Sequence, residues 1–463
     1  MVTMSNKLNL LLAFYADDFT GATDALEGLA RNGIEAVLFL DTPTTADLDR
    51  FDSVDAIGIA STARSMSPEQ MAENLPSQFR RLKSLGAPIT HYKVCSTFDS
   101  APGIGSIGYA IDLAQEVFES SYVPLVQPTT APSNRYVAFG NLFADVSGTV
   151  YRLDRHPTMS EHPSTPMDES DIRRHLSYQT NESIGLVPLP ALESVTSLRK
   201  AFADVRESHD IVVFDGITST HLKKIGQVIW EDAISEPESQ FVVGSSGIEH
   251  DALPAHWLES GLIKDSSSLL ELQPSTDAVV VTSGSLSAET AAQIEYAIDA
   301  GFEGIRLDSP RLVNPKAAMD ARKEILNRAR EALGQNKSVL TYTAIGPEDP
   351  MIDKTLAAHK ATESNRSIAE QLGHQQGLIL RELVEETHVR RFCVAGGDTS
   401  SHVLSVLDID ALKPKGPISP GSPLCEAIST NSDFDGIEFV LKGGKSSQKD
   451  YFETVRRGGT CQY

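Results

Sequence analysis

Two adjacent carboxylates, Asp17 and Asp18, stand where a predicted strand ends and a predicted helix begins, in the segment YADDFTGA at positions 15–22. In open α/β sheets, ligands bind at the carboxyl ends of the strands. A carboxylate at that point can accept hydrogen bonds from a polyol or take the proton of a hydroxyl group. The segment also suits a helix start, where Asp18 or Thr20 would accept hydrogen bonds from backbone N–H groups. The residues alone leave both interpretations open.

A second polar segment, KVCSTFDS at positions 93–100, also follows a predicted strand and precedes a helical pattern. Hydroxyl and unpaired N–H groups at such a point favour an anion, and Lys93 adds a positive charge. Arg64 follows the strand-like run 56–60 and could hold a carboxylate through two parallel hydrogen bonds. A glycine-rich turn in which Lys93 and Arg64 are solvated is the alternative.

Three loops in the second half of the chain combine glycine with small hydroxyl residues or lysine: TSGS at 282–285, VAGGDTS at 394–400 and KGGK at 442–445. Glycine lets the backbone approach a phosphate, and a helix that starts there points N–H groups at it. No Gly-Lys-Ser/Thr follows, so none of the loops is a Walker sequence. The loops are typical of a nucleotide site, although ordinary α/β turns also collect Gly and Ser.

Apolar runs of strand length alternate with helical patterns, which favours mostly parallel sheets flanked by helices. The predicted strands are 8–15, 36–40, 56–60, 89–94, 122–126, 185–189, 211–215, 240–244, 278–282, 305–307, 338–343, 391–395 and 437–441. A Pro-rich stretch, 151–167, is predicted to be a long loop. We expect two α/β domains, at 1–262 and 277–463, joined by a Ser-rich linker at 263–276.

The overall charge balance limits the partners of the protein. The 463 residues include 40 basic and 63 acidic side chains, which gives a formal net charge of −23. This balance argues against nucleic acid as a partner, because such binding relies on a positive surface. The apolar run 8–15 is too short for a membrane span or a signal sequence. We therefore expect a cytoplasmic protein with neither a nucleic-acid nor a membrane partner.

Taken together, the segments resemble the four-carbon acid sugar kinase family over most of the chain. The resemblance rests on ADDFTGA at 16–22, AGGDTS at 395–400, ISPG at 418–421 and LKGG at 441–444, supported by Arg64 before Ser65. It implies an acid-sugar-binding N-terminal domain, an ATP-binding C-terminal domain and an active site in the cleft between them. The CSTFDS form of the loop at 95–100 is similar to the 3-oxo-tetronate kinase branch, whose product would be a 4-phosphate.

The resemblance, carried over position by position, implies two sets of site residues. The residues expected to face the substrate are Asp17, Asp18, Arg64, Lys93 and Ser96. The residues expected to contact ATP are Ser285, Gly396, Gly397, Asp398, Thr399 and Gly444. The implied reaction is in-line transfer from ATP with Mg²⁺ to a terminal hydroxyl of a small sugar acid, which Asp17 or Asp18 orients or deprotonates. The residues that would bind the metal are left open.

Other interpretations remain. A D-threonate or D-erythronate kinase is the rival of the same class, and a non-catalytic protein that binds a sugar acid or a nucleotide is the rival of another class. The second rests on the GGKSS sequence at 443–447, where Lys445 departs from the family pattern and could strengthen or weaken ATP binding. A nicotinamide dehydrogenase is disfavoured, because no GxGxxG follows the first strand. A homo-oligomer is possible.

Overall fold

The computed structural model describes residues 9–51, 53–130, 133–146, 148–162, 164–264, 268–362, 364–443 and 448–459. The chain divides into two compact units, Met1–Leu269 and Leu270–Tyr463. Each unit is built on mostly parallel strands with helices packed against them. The predicted class, two α/β domains with mostly parallel sheets, is confirmed.

The first unit is a doubly wound α/β domain. Its strands are β1 (Leu12–Ala16), β2 (Ala36–Phe39), β3 (Ala56–Ala60), β4 (Ile89–Lys93), β5 (Val123–Val126), β6 (Arg135–Ala138), β7 (Asn141–Val146), β8 (Thr149–Arg152), β9 (Ile184–Val187), β10 (Ile211–Phe214) and β11 (Gln240–Gly244). Its helices are α1 (Phe19–Arg31), α2 (Thr45–Leu48), α3 (Pro68–Leu85), α4 (Ile107–Phe118), α5 (Ile172–Leu176), α6 (Val195–Arg206), α7 (Ser219–Ala233) and α8 (Leu253–Glu259).

One parallel sheet in this unit runs in the order β2-β3-β1-β4-β11-β5-β10-β9. Its central strands are apolar on both faces, as parallel strands covered by helices must be, and all five residues of β1 are buried. The register pairs Ala16 at the end of β1 with Ala60 on one side and Lys93 on the other. The segments after β1, β3 and β4 therefore start at the same level of the sheet.

A small antiparallel sheet, β6-β7-β8, differs from the prediction of a long loop that begins at residue 151. Strand β8 continues to Arg152, and a 3₁₀ turn over Leu153–Arg155 follows it. These strands are short and only partly buried, with exposed side chains at Thr149 and Val150. A two-sided apolar run, which marks the strands of the large sheet, is missing from such elements.

The second unit has a parallel core with an antiparallel extension. Its strands are β12 (Val280–Ser283), β13 (Glu303–Arg306), β14 (Val339–Tyr342), β15 (Arg391–Ala395), β16 (Ala411–Ser419), β17 (Ser422–Ile428) and β18 (Glu438–Lys442). Its helices are α9 (Ala288–Asp299), α10 (Ser309–Leu312), α11 (Ala318–Gly334), α12 (Met351–Lys360), α13 (Ile368–Glu386), α14 (Gly397–Leu404) and α15 (Tyr451–Arg457). Strands β13, β14, β12, β15 and β18 are parallel in that order, and β17 and β16 continue the sheet antiparallel.

The β16–β17 hairpin is an element that the sequence patterns did not predict. Its turn contains Gly421 at φ +77°, a left-handed conformation that favours glycine. Pro414, Gly416 and Pro417 interrupt β16, and its pairing shifts register between Pro414 and Gly416. Proline and glycine usually argue against a strand, which explains why the pattern was overlooked. Within the described ranges, no helix has the length and apolar character needed to cross a bilayer.

Candidate active site

Three of the residues expected to face the substrate lie at or just after the carboxyl ends of three neighbouring strands. Asp17 follows β1, Arg64 lies in a 3₁₀ turn shortly after β3, and Lys93 is the last residue of β4. Backbone hydrogen bonds from Asp17 N to Lys93 O (3.0 Å) and from Arg64 N to Asp17 O (3.0 Å) fix the three segments against one another. The structure thus brings together residues that stand up to 76 positions apart (93 − 17).

Arg64 binds both aspartates. Its Nε and Nη2 atoms donate to the two carboxylate oxygens of Asp17 at 3.1 and 2.7 Å. Its Nη1 and Nη2 atoms donate to the two oxygens of Asp18 at 3.0 and 2.9 Å. Both bidentate edges of the guanidinium are therefore engaged within the protein. An additional contact with a substrate carboxylate would require one of these pairs to open.

Burial changes the proton affinity of Asp17. The Asp17 side chain is only 3% exposed. Burial raises the pKa of Asp17 above its usual range, and the Asp18 charge adds to the rise, while Arg64 and Lys93 oppose it. A carboxylate with a raised pKa is better suited to accept the proton of a hydroxyl group than an ordinary aspartate.

Asp18 also starts helix α1. Its Oδ1 atom accepts a hydrogen bond from Gly21 N at 2.8 Å, so Asp18 is the N-cap residue of the helix. The capping interpretation is therefore correct for Asp18, and it coexists with the ion pair to Arg64. Gly21 is needed here because a Cβ atom would lie 2.2 Å from Lys93 Nζ and 2.3 Å from Asp18 Oδ1.

Lys93 is a buried cation without a direct partner. The residue is 3% exposed. Among the described residues, no hydrogen-bond acceptor or carboxylate lies within bonding distance of its Nζ atom. Its charge favours the ionised forms of Asp17 and Asp24 without a hydrogen bond to either, so its N–H groups are available for an anionic ligand.

The loop after β4 carries the predicted residue Ser96, which is partly exposed. Hydrogen bonds beyond it hold the loop, since Ser100 Oγ contacts His175 Nε2 at 3.0 Å and accepts from Gln179 Nε2 at 3.0 Å. Phe98 within the loop has φ +61° and is fully buried. A side chain in the left-handed region is uncommon, which indicates a tightly determined loop conformation.

A further, partly buried pair joins helix α1 to the end of the sheet. His250, in a π-helical turn over Ile248–Ala252, lies with its Nε2 atom 3.0 Å from Asp24 Oδ1, and Ser246 Oγ donates to Asp24 Oδ2 at 2.6 Å. Burial alone would lower the pKa of His250, but Asp24 raises it to about 9. Sequence reasoning missed this pair, because 226 positions separate its members.

In the second unit, the three glycine loops follow neighbouring parallel strands. The register places Ala395 of β15 opposite Ser283 of β12 and Lys442 of β18. Gly284 N donates to Ala395 O at 3.0 Å, and Gly396 N donates to Lys442 O at 2.9 Å. The loops after β12, β15 and β18 therefore begin side by side at one edge of the sheet.

Thr399 fills the space between two of these loops. A Cβ atom on Gly284 would lie 2.2 Å from Thr399 Oγ1, and a Cβ atom on Gly396 would lie 2.8 Å from Thr399 Oγ1 and 3.3 Å from Ser285 N. Gly396 also has φ +124°, which favours glycine. Ser285, Gly396 and Thr399 are thus close to one another.

Helix α14 begins immediately after Gly396. Gly397 is its first residue, and Asp398 is exposed in its first turn. The unpaired N–H groups at such a helix start are suited to a phosphate. The remaining residue of the predicted ATP set, Gly444, lies outside the described residues, as does Lys445.

Lys442 is a buried cation beside the third loop. Its Nζ atom donates to Thr290 Oγ1 at 3.1 Å and to Gly443 O at 3.0 Å, and it lies 5.4 Å from the centre of the Tyr451 ring. Burial lowers the pKa of Lys442 to about 8. Its sequence signal was a lysine directly after the predicted strand 437–441 and before two glycines, but nothing in the pattern predicted complete burial.

Glycine at positions 284 and 396 lets Thr399 pack between the two loops and keeps the backbone N–H of Ser285 close to Gly396. Together with the unpaired N–H groups at the start of α14, this arrangement fits the phosphates of ATP. Over the residues that the structure describes, His, Cys, Asp and Glu form no group of three or more suited to a metal ion. This does not conflict with Mg²⁺, which usually keeps several waters and is bound through one or two carboxylates and the phosphates of the nucleotide.

Two family models match the chain, one in each unit. A sugar-binding N-terminal domain matches residues 12–252, and a nucleotide-binding C-terminal domain matches residues 280–452. The two family models, together with the kinase relatives described below, identify the protein as an ATP-dependent carbohydrate kinase. The chain belongs to the four-carbon acid sugar kinase family, as the motifs predicted.

Named relatives narrow the class to sugar acid kinases. The chain is 41% identical to 3-oxo-isoapionate kinase of Paraburkholderia graminis over 97% of this chain and 94% of the relative. It is 29% identical to 3-oxo-tetronate kinase of Pseudomonas fluorescens over 97% of each chain. In fold, it is similar to a solved Salmonella typhimurium LT2 protein described as a proposed tRNA synthase, with a TM-score of 0.77, 25% identity and coverage of 97% and 99% of the two chains. The substrate is therefore a small sugar acid.

Proposed function

We propose that this protein transfers the γ-phosphoryl group of ATP to a hydroxyl group of a 3-oxo sugar acid. The observation that carries the proposal is the arrangement at the strand ends of the first unit. There Asp17, whose pKa is raised by burial, is held by Arg64, and Lys93 has no partner of its own. The attacking hydroxyl needs a group such as Asp17 to take its proton, and an anionic substrate needs a cation such as Lys93 to bind it.

Two substrates have support of different kinds. The loop at 95–100 resembles the 3-oxo-tetronate kinase branch, which favours 3-oxo-tetronate and a 4-phosphate product. The 41% identity to a 3-oxo-isoapionate kinase, against 29% to a 3-oxo-tetronate kinase, favours 3-oxo-isoapionate. We propose 3-oxo-isoapionate as the first substrate to test and 3-oxo-tetronate as the second. D-Threonate and D-erythronate remain in the same class but lack the 3-oxo group.

Each residue at the strand ends of the first unit has its own role in binding and activating the sugar acid. Asp17 accepts the proton of the attacking hydroxyl, because burial raises the pKa of its carboxylate. Asp18 keeps helix α1 and Arg64 in position through Oδ1. Arg64 orients both carboxylates, and Lys93 attracts the anionic substrate. Ser96, partly exposed in the loop after β4, offers a hydroxyl to the polar groups of the sugar.

In the second unit, the phosphates of ATP contact Ser285, the start of α14 at Gly396–Thr399 and the loop that contains Gly444. ATP supplies the phosphoryl group, and Mg²⁺ neutralises charge on it. Asp398, exposed in the first turn of α14, is an acidic candidate for a water-mediated contact with that ion. The protein's own task is to position the hydroxyl and exclude competing geometries, which is the main source of catalysis in such transfers.

The experiment is a coupled ADP-release assay with ATP, Mg²⁺ and a panel of acceptors. The panel contains 3-oxo-isoapionate, 3-oxo-tetronate, D-threonate and D-erythronate, and calorimetry measures ATP binding separately. We expect turnover with at least one 3-oxo acid at a kcat/KM at least tenfold above that of D-threonate and D-erythronate. Normal ATP binding without turnover on any acid would contradict the proposal.

A further inference from the structure

Arg135 lies at the same edge of the first unit's sheet as Asp17, Arg64 and Lys93. It opens β6, and its backbone pairs with Thr129 through hydrogen bonds of 2.8 and 3.0 Å. Thr129 comes three residues after the end of β5. The same segment is tied to the loop after β4, because Gln127 Nε2 donates to Cys95 O at 2.8 Å. Arg135 is therefore held beside the strand ends that carry Lys93.

The charge of Arg135 has no counterpart within ion-pairing distance. The residue is only 6% exposed. Its Nη1 atom donates to backbone carbonyls, those of Ser133, Asn134 (3.3 Å) and Asp145 (3.5 Å). Among the described residues, no carboxylate forms an ion pair with it. A buried guanidinium that meets only carbonyl groups is left with a large desolvation cost, which an anionic ligand would offset.

The free edge of this guanidinium has the geometry of a carboxylate site. The Nε atom is buried without a hydrogen-bond partner. Within the described structure, the side-chain hydrogen bonds of Arg135 all come from Nη1 and none from Nη2. Nε and Nη2 together form the edge that binds a carboxylate through two parallel hydrogen bonds. On Arg64 the corresponding edge is already taken by Asp17. Of the two arginines, only Arg135 thus offers a free bidentate edge.

The electrostatic surroundings place Arg135 next to the loop after β4. Burial lowers the pKa of Arg135, while Cys95 and Asp99 favour its charged form. The same two residues favour the charged form of Arg64, whose pKa is raised. Both guanidinium groups therefore lie near the loop after β4, which begins directly after Lys93.

We propose that Arg135 binds the carboxylate of the sugar acid through its Nε and Nη2 atoms, and that this contact makes the enzyme prefer an acid to a neutral sugar. The assignment rests on the proposed function, since it names the residue that recognises the acid group of that substrate. Lys93 supplies a second positive charge to the same anion. Arg64 keeps its role of orienting Asp17 and Asp18.

The test compares an acid with its neutral counterpart. The probes are 3-oxo-tetronate and erythrulose, in which a CH₂OH group replaces the carboxylate. We expect Arg135→Gln to lower kcat/KM for 3-oxo-tetronate by about 10- to 100-fold, the range of a hydrogen-bonded charge pair, through a rise in KM. The value for erythrulose should stay within about threefold. For 3-oxo-tetronate, the kcat/KM of Arg135→Lys should lie between that of the parent protein and that of Arg135→Gln, because lysine keeps the charge and loses the bidentate geometry.

Controls separate the contact from folding. Arg152→Gln is the matched control, because Arg152 lies on the same small sheet, is ion-paired with Asp154 and is 39% exposed. Its kinetics should equal those of the parent. Melting followed by tryptophan fluorescence reports on the first unit, and Arg135→Lys carries the test if the Gln variant does not fold. Equal losses on acid and neutral probes, or no loss, would overturn the role of Arg135.

A binding measurement without nucleotide distinguishes this inference from the proposed function. The rise in melting temperature with 3-oxo-tetronate is compared between the parent protein and Arg135→Gln. A rise that depends on Arg135 in a protein without kinase turnover would support the acid contact and contradict the kinase proposal. Turnover of the acid by both proteins with the same KM would support the kinase and contradict the contact. Absence of both turnover and a rise would refute both.

Discussion

Replacing Arg64 with methionine tests the charge arrangement at the strand ends directly. The substitution removes the four hydrogen bonds that Arg64 makes to Asp17 and Asp18. It leaves two adjacent carboxylates, 3% and 11% exposed, without their shared cation. Methionine keeps most of the side-chain volume, so the effect on packing is small.

The magnitude follows from these contacts. At an effective dielectric constant of about 20, unit charges about 4 Å apart attract by about 4 kcal/mol. Arg64 makes two such pairs, and the desolvation of three groups offsets part of the gain. Breaking a buried pair by removing one partner costs about 3–5 kcal/mol. We expect Arg64→Met to lower the unfolding free energy of the first unit by this amount at pH 8.

The pH dependence distinguishes charge from packing. Burial already raises the pKa of Asp17, and without Arg64 it must rise further. A folded-state pKa above the unfolded value means that stability is retained at low pH and lost as pH rises through the folded pKa. The deficit of Arg64→Met should therefore be larger at pH 8 than at pH 5. Adding Asp17→Asn to the same chain should recover part of it.

The assay is urea unfolding followed by tryptophan fluorescence. Both tryptophans of the chain, Trp230 and Trp257, lie in the first unit and are buried, so the signal reports on that unit alone. This avoids treating a two-domain chain as one two-state transition. A loss that is equal at both pH values, and that Asp17→Asn does not relieve, would refute the charge argument.

Three other perturbations have defined outcomes. Asp17→Asn should lower kcat by about 10²- to 10⁴-fold with ATP affinity unchanged, measured by single-turnover kinetics and calorimetry; an unaltered kcat would exclude Asp17 as the base. Gly396→Val should weaken ATP binding at least tenfold by calorimetry, because a Cβ atom there would lie 2.8 Å from Thr399 Oγ1 and displace the start of α14, whereas Gly301→Val, at a similarly left-handed φ with open space around it, should not. His250→Asn should lower the unfolding free energy of the first unit by about 3 kcal/mol near pH 6, because the Asp24 pair raises the pKa of His250 from about 6.5 to about 9. The loss should vanish above pH 10, and a loss that does not change with pH would contradict the pairing.

Much of the parallel architecture follows from local patterns. Runs such as LAFYA at β1 are apolar on both faces, which marks a strand buried in a parallel sheet. The small sheet β6-β7-β8 and the β16–β17 hairpin escaped the same reasoning. Their strands are partly exposed or interrupted by Pro414, Gly416 and Pro417, so the pattern that identifies a strand is absent.

The site was predictable where motif and topology coincide. Asp17, Arg64 and Lys93 follow neighbouring strands, and the glycine loops do the same in the second unit. The sequence could not show that both edges of the Arg64 guanidinium bind Asp17 and Asp18. Nor could the burial of Arg135, because its environment is created by Thr129 and the end of β5, and a lone arginine at a strand start has no distinctive pattern.

The Oδ1 atom of Asp18 has a consequence for saturation mutagenesis. One oxygen serves both the first turn of α1, through Gly21 N, and the ion pair with Arg64. Most substitutions at position 18 would reduce the yield of folded protein before any activity could be scored. Asparagine and serine cap a helix almost as well as aspartate but lose the charge that pairs with Arg64, so they would give abundant protein of reduced activity. Fitness data at this position would thus mix abundance with catalysis unless both are measured.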